Sequence, residues 1–270
     1  MQSVESKGFK IPIVGLGTWA LRGRDCARLT EQAIRIGYRH IDTAQMYDNE
    51  REVGDGVRAS GLRSEVVVTT KVQPTLLAPH DLERSVKESL ARLRLDVIDL
   101  LLIHWPNPRV PLAETLGAMA KMKREGYTRQ IGVSNFTVAL LEEANRISRE
   151  LVCDQIECHP FLNQDKVVAA CRRHKMAVVA YSPIARGGAN GDKVLEKIGK
   201  AHGKSAPQVC LRWLVQQGIV VIPRTSKVER LEENFALFDF ELSDAEMREI
   251  AGLARRGGRI VDWTWSPNWD

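Results

Sequence analysis

One pattern recurs along the whole chain. A short apolar run rich in Val and Ile is followed by a polar turn and then by a stretch with helical spacing. The runs include Val66-Val67-Val68, Leu100-Leu101-Leu102-Ile103, Ile131-Gly132-Val133, Ala177-Val178-Val179-Ala180 and Ile219-Val220-Val221-Ile222. They hardly alternate, as expected of parallel strands buried on both faces. Between them, Leu82, Val86, Leu90 and Leu93 line one helical face, and so do Leu112, Leu116 and Met119, in a stretch closed by Gly126. Ser243 and Glu246 have the spacing of a capping box. Eight strands are predicted near residues 13–17, 38–42, 66–71, 99–104, 130–134, 154–158, 177–182 and 219–223, with seven helical stretches between them and more after. Eight βα units in 270 residues fit an α/β fold, a closed (β/α)8 TIM barrel forming a single domain over 1–270. The rival is an open doubly wound sheet. It usually begins on a glycine-rich fingerprint, and Gly15-Leu16-Gly17-Thr18-Trp19 lacks the third glycine. Residues 2–12 are expected to form a small hairpin, and a glycine- and tryptophan-rich tail without periodicity starts at about 256.

Composition narrows the function classes. With 44% apolar and 27% charged residues the chain is neither disordered nor fibrous, and no apolar run approaches the roughly 20 residues of a membrane span. The opening MQSVESKGFK has no signal-peptide pattern, and five scattered cysteines without a CxxC pair suggest reduced thiols, so a cytoplasmic setting is expected. The net charge of +5 suits an anionic cofactor or substrate; no nucleic-acid motif accompanies it.

In such a barrel, chemistry sits at the C-terminal strand ends. Those ends carry Asp42, Lys71, His104, Ser134-Asn135, Gln155 and Glu157, Tyr181-Ser182 and Arg224-Thr225. Any one has an ordinary explanation: a solvated lysine, a satisfied core histidine, an aspartate capping a helix. Together they would converge on one axis, where charge must be paired or used. Asp42 and Lys71 lie on neighbouring strands, so an ion pair is natural. Tyr47 can lean over the mouth, where the Lys71 ammonium is expected to lower its pKa and make it a general acid for a developing alkoxide. His104 could orient the same oxygen. The set lacks an activated nucleophile and metal-site spacing and suits carbonyl reduction, though a Schiff-base role for Lys71 stays open.

Three motifs then carry a resemblance. They are Gly37-Tyr38-Arg39-His40-Ile41-Asp42-Thr43-Ala44 with Tyr47, Asn49-Glu50 and Val53-Gly54; Arg129-Gln130-Ile131-Gly132-Val133-Ser134-Asn135-Phe136; and Ile222-Pro223-Arg224-Thr225 with Arg230 and Glu233-Asn234. From about Ile13 to the end, the chain resembles the aldo-keto reductases, NADPH-dependent (β/α)8 barrels. Ile103-His104-Trp105-Pro106 and the closing Trp-Ser-Pro-Asn-Trp-Asp are most similar to the bacterial 2,5-diketo-D-gluconate reductase branch.

The resemblance implies a catalytic tetrad of Asp42, Tyr47, Lys71 and His104. It implies that Tyr181 stacks on the nicotinamide and that Ser134, Asn135 and Gln155 bind its carboxamide. Gly17, Thr18 and Trp19 would border the ribose, and Ser182 to Arg186 the pyrophosphate. Arg224, Thr225, Ser226 and Arg230 would lie at the 2′-phosphate, with Glu233 and Asn234 at the adenine; Ser226 and Glu229 would also fit a capping box. Many relatives carry lysine where this chain has Arg224, and several carry tryptophan where it has Gln73. Short loops suggest an open mouth walled by Trp19 and Trp105 and a small polar substrate, with Trp263 and Trp265 as further candidates. The expectation is a monomeric reductase of small carbonyls of the 2,5-diketo-D-gluconate and methylglyoxal type. The alternative is an NADPH-binding redox sensor with little turnover.

Overall fold

The computed structural model describes residues 2–270. Strands β1 (Ser3–Ser6) and β2 (Phe9–Pro12) pair antiparallel, giving the hairpin expected over 2–12. Eight strands follow: β3 (Leu16–Gly17), β4 (His40–Asp42), β5 (Val67–Val72), β6 (Ile98–Ile103), β7 (Thr128–Ser134), β8 (Cys153–Glu157), β9 (Ala177–Tyr181) and β10 (Val220–Val221). They pair in parallel in chain order. The sheet closes because Val221 bridges Val14, accepting from the Gly15 amide at 2.8 Å and donating to the Ile13 carbonyl at 2.9 Å. No long strand edge is left open.

Helices cover the sheet: α1 (Gly23–Ile36), α2 (Glu50–Ser60), α3 (Pro79–Leu93), α4 (Leu112–Arg124), α5 (Val138–Ile147) and α6 (Asp165–Arg173) each fill one crossover. The last crossover holds both α7 (Lys193–His202) and α8 (Ala206–Gln216), so eight helices rather than seven separate the strands. Two more, α9 (Val228–Phe235) and α10 (Asp244–Ala251), follow β10. Local sequence explains their faces and ends. Leu82, Val86, Leu90 and Leu93 bury the inner face of α3. The Ser243–Glu246 capping box opens α10. The box expected at Ser226 and Glu229 does not form: α9 starts after Lys227 without a side-chain cap, and Lys227 donates its amide to the Thr225 hydroxyl instead, at 3.0 Å.

The core has two shells. Outward-facing strand residues pack under the helices, while Leu100, Leu102, Cys153, Val179 and Ile222 fill the barrel, with Ile11 of the hairpin in the same cluster. Successive side chains in a strand point to opposite faces. The inward set therefore continues from Leu100 and Leu102 to His104, and from Cys153 to Gln155 and Glu157. All five cysteines are free and buried. Among the described residues no helix is long and apolar enough to cross a membrane.

Beyond α10 the chain has no regular element, yet it is tied to the barrel mouth. Arg255 donates its amide to the Phe161 carbonyl at 3.2 Å. At Gly258 a Cβ would stand 1.8 Å from that carbonyl oxygen, so only glycine allows so close a passage. At the end of the chain, the Asp270 carboxylate accepts the Val138 amide at 2.9 Å.

Candidate active site

Strand parity brings Asp42, Lys71 and His104 to the C-terminal mouth. Lys71 is fully buried, and its ammonium donates to Asp42 Oδ1 at 2.6 Å, the Thr43 carbonyl at 2.9 Å and Tyr47 Oη at 3.2 Å. Three acceptors match its three protons. Asp42 is not a helix cap: its second oxygen accepts from Gln155 Nε2 at 2.7 Å. Tyr47 ends a 3-10 turn over Gln45–Tyr47. Gln45 pins that turn, accepting the Gln73 amide at 3.0 Å and donating to Ser89 Oγ at 3.0 Å. His104 meets the Tyr47 ring edge to face at 5.5 Å between centroids, and Asn135 Nδ2 holds the His104 carbonyl at 2.9 Å.

Electrostatics correct one expectation. Burial pushes the Tyr47 phenol above its ordinary range; the nearby Lys71 ammonium opposes this without reversing it. Tyr47 is therefore held as a neutral O–H donor, and the Lys71 contribution is a lowering only relative to a mouth without the cation. Burial alone would lower the Lys71 pKa, but Asp42 and Tyr47 outweigh it and raise it. An amine held in its charged form by Asp42 and Tyr47 is a poor Schiff-base nucleophile, which weighs against that alternative. Burial, with the Lys71 cation second, drives His104 well below 6.5, so its imidazole is neutral.

The remaining predicted residues lie around this centre. Asn135, in the left-handed region at φ 63°, accepts from Tyr181 Oη at 2.8 Å, and Ser134 Oγ donates to the Gln155 carbonyl at 2.7 Å. Thr18 Oγ1 donates to the Asp42 carbonyl at 2.9 Å, and Gly17 donates its amide to the Pro223 carbonyl at 3.1 Å. Trp19 is half exposed beneath the Arg186 guanidinium, 4.6 Å from its ring centre. Ser182, Ala185 and Arg186 all take positive φ of about 50°, a sparsely populated conformation concentrated in this one loop. On the loop into α9, Thr225 is buried while Arg224 and Ser226 are exposed, as is Arg230 in the first turn of α9. Among the described residues neither of these arginines forms an ion pair. Asn234 is buried, and the Glu233 carboxylate accepts from Ser205 Oγ at the start of α8. Trp105 does not face open solvent. It is buried beneath Trp265 and Trp269, at 5.1 and 6.0 Å between ring centroids, and Trp263 stacks on Trp265 outside it. No cluster of metal ligands occurs among the described residues.

One residue had no assigned role in the sequence reading. Glu157 is fully buried and accepts from His159 Nε2 at 3.0 Å and from the amides of Ile260 and Val261 at 2.6 and 2.7 Å. The available signal was a carboxylate on the inward parity of a buried strand, which has to be paired. Its partners lie 103 and 104 residues away and could not be read.

The pattern of the Aldo/keto reductase family matches residues 13–255. Methylglyoxal reductase DkgB of Escherichia coli O157:H7 is 38% identical over 265 residues, covering 96% of this chain and 99% of that protein. Glyoxal reductase of Bacillus subtilis strain 168 is 39% identical over 249 residues, 91% of this chain and 90% of its own. Among solved structures, a crystal structure provisionally assigned as a 2,5-diketo-D-gluconic acid reductase B superposes with a TM-score of 0.98 at 44% identity, covering 100% of this chain and 98% of that one.

Proposed function

The chain belongs to the aldo/keto reductase family, and on that premise we propose that it reduces small aldehydes and ketones with NADPH, with Tyr47 as the proton donor. The observation that carries this reading is the linked set Asp42–Lys71–Tyr47, with the His104 ring edge-on to that of Tyr47 at 5.5 Å.

A bound NADPH supplies the hydride equivalent. The residues present fit such a dinucleotide. Tyr181 offers an aromatic face whose hydroxyl is fixed by Asn135, and Ser134, Asn135 and Gln155 offer amide and hydroxyl groups beside it. Gly17, Thr18 and Trp19 border the ribose in this reading, and the loop from Ser182 to Arg186 the pyrophosphate. The unpaired Arg224 and Arg230, with the Thr225 and Ser226 hydroxyls, suit a dianionic 2′-phosphate. Asn234, with Glu233 held by Ser205, borders the adenine.

The protein's own steps are proton steps. A carbonyl oxygen presented to Tyr47 and His104 accepts from the phenol and from the neutral imidazole. As negative charge builds on that oxygen, the Tyr47 proton moves to it. The phenolate left behind lies beside the Lys71 ammonium, so the charge formed is compensated as it appears. Asp42, Thr43 and Gln155 keep the ammonium from turning away. Compact dicarbonyl and keto-acid compounds are the substrate class of this reading, with the tryptophans gathered on Trp105, next to His104, as its apolar wall. The named activities of the relatives above, on methylglyoxal and glyoxal, support that class.

The test is NADPH oxidation by the purified protein against methylglyoxal, glyoxal, 2,5-diketo-D-gluconate and a nitrobenzaldehyde, with NADH in parallel. Turnover preferring NADPH is expected. Tight NADPH binding without turnover on any of them would favour a redox-sensing role instead.

A further inference from the structure

We propose that Glu157 is a positioning residue for the carbonyl site: its carboxylate grips the backbone of Ile260 and Val261 and so sets the C-terminal tail as a wall over Trp105. The proposal rests on the reading of this mouth as a carbonyl-reducing site.

A buried carboxylate needs donors, and three supply Glu157: His159 Nε2 at 3.0 Å and the amides of Ile260 and Val261 at 2.6 and 2.7 Å. Two of the three come from the tail. The grip is on backbone, so it fixes the path of the chain whatever side chains follow. That path needs fixing, because no helix or strand orders the residues beyond α10. The passage at Gly258 leads into the grip, and the Asp270 carboxylate on the Val138 amide closes the far end. Between these points, Trp265 and Trp269 are laid against Trp105, and Arg259 stacks on Trp269 at 3.6 Å from its ring centre.

The position of Glu157 on β8 gives the anchor its consequence. Two residues earlier on the same inward face, Gln155 holds Asp42. In register beside Glu157 is Tyr181. Trp105 directly follows His104. One strand thus supports the proton donor's cation through Gln155 and the wall facing the substrate through Glu157. Loosening the grip frees the wall while leaving the Asp42–Lys71–Tyr47 set in place.

The experiment uses the full chain with Glu157→Gln, which keeps the size and one acceptor but turns an NH2 toward a backbone donor. Three quantities are read: tryptic cleavage after Arg255, Arg256 and Arg259, the KM and kcat for methylglyoxal, and NADPH affinity by fluorescence. Loss of one charge-assisted hydrogen bond corresponds to about tenfold in an opening equilibrium. Cleavage and KM are each expected to rise by about that factor, while kcat and NADPH affinity stay within about threefold. Val261→Pro removes one gripped amide from the tail side, leaves the Arg259–Ile260 bond open to trypsin and leaves the barrel untouched. It should reproduce the same split and keeps the proposal testable if Glu157→Gln fails to fold. Unchanged tail protection and KM in a folded variant would overturn the proposal, as would loss of NADPH affinity as large as the rise in KM. If the wild-type protein reduces no carbonyl, the functional reading fails separately, and the cleavage rates alone then decide the anchor.

Discussion

Replacing Lys71 by Met tests whether the buried ion pair is held for chemistry or for stability. The substitution preserves the stem and removes an ammonium that makes three contacts. It leaves the Asp42 carboxylate, 1% exposed, with Gln155 as its remaining side-chain partner. Removing one member of a buried pair costs about 3–5 kcal/mol, because the other charge stays desolvated. In a domain of this size each kcal/mol lowers Tm by about 2–4 °C, so a fall of roughly 6–12 °C is expected even at the lower cost. Adding Asp42→Asn removes the stranded charge while keeping an acceptor for Gln155. The double variant should therefore melt above Lys71→Met and within about 2 kcal/mol of wild type. Activity should not follow stability: both variants lose about a hundredfold or more in carbonyl reduction, because Tyr47 has lost its cation in each. Thermal melts and steady-state rates on the three proteins decide the matter. A Lys71→Met protein melting within about 2 °C of wild type, or a double variant melting no higher than Lys71→Met, would show that no stranded buried charge sets the stability.

Arg230→Ala should weaken NADPH binding by about tenfold while changing NADH binding little, since one charge-assisted contact to a 2′-phosphate is lost; equal weakening, read by fluorescence titration, would contradict the assignment. The pH profile follows from two displaced groups. Tyr47 lies above its ordinary 10.0, so its neutral, proton-donating form persists as pH rises, and His104 lies well below 6.5, so it does not gain charge near neutrality. The kcat for reduction should be flat between about pH 7 and 9 and fall only above about pH 10; a descending limb near neutrality would show that another group governs the proton.

The barrel was legible because five of its strands, buried on both faces, show as continuous apolar runs, and eight strand–helix units in one chain leave few other closures. Lys71 and His104 were legible for a related reason: each is the first ionisable residue after an apolar run and shares the parity of the core, while Asp42 ends the predicted strand beside that of Lys71. The direction of the Tyr47 shift was not. It depends on how much water the mouth excludes, and that is a property of packing across the whole strand-end layer. The doubled helix in the last crossover carries local marks, Gly203 at the end of α7 and the Ser205–Gln208 capping box at the start of α8, which a count of one helix per crossover passes over. At the start of α9, Lys227 rather than Ser226 is the N-cap residue, and its amide is turned to the Thr225 hydroxyl, so no side chain caps the helix. Trp105 was expected to wall an open mouth; its burial under the tail was not legible, because the tail shows no periodicity and its anchor on Glu157 joins residues 103 positions apart. Contacts of that range leave no local pattern.

The central claim is that Tyr47 donates the proton in a mouth that binds NADPH independently of that hydroxyl. Tyr47→Phe removes one oxygen, leaving Asp42, Lys71 and His104 in place. The most direct measurement compares the variant with wild type for methylglyoxal-dependent NADPH oxidation and for NADPH affinity by fluorescence quenching. The expected result is a loss of turnover of about 10²- to 10⁴-fold with NADPH affinity within about twofold. Retained turnover, or loss of NADPH binding with turnover intact at saturating cofactor, would contradict it.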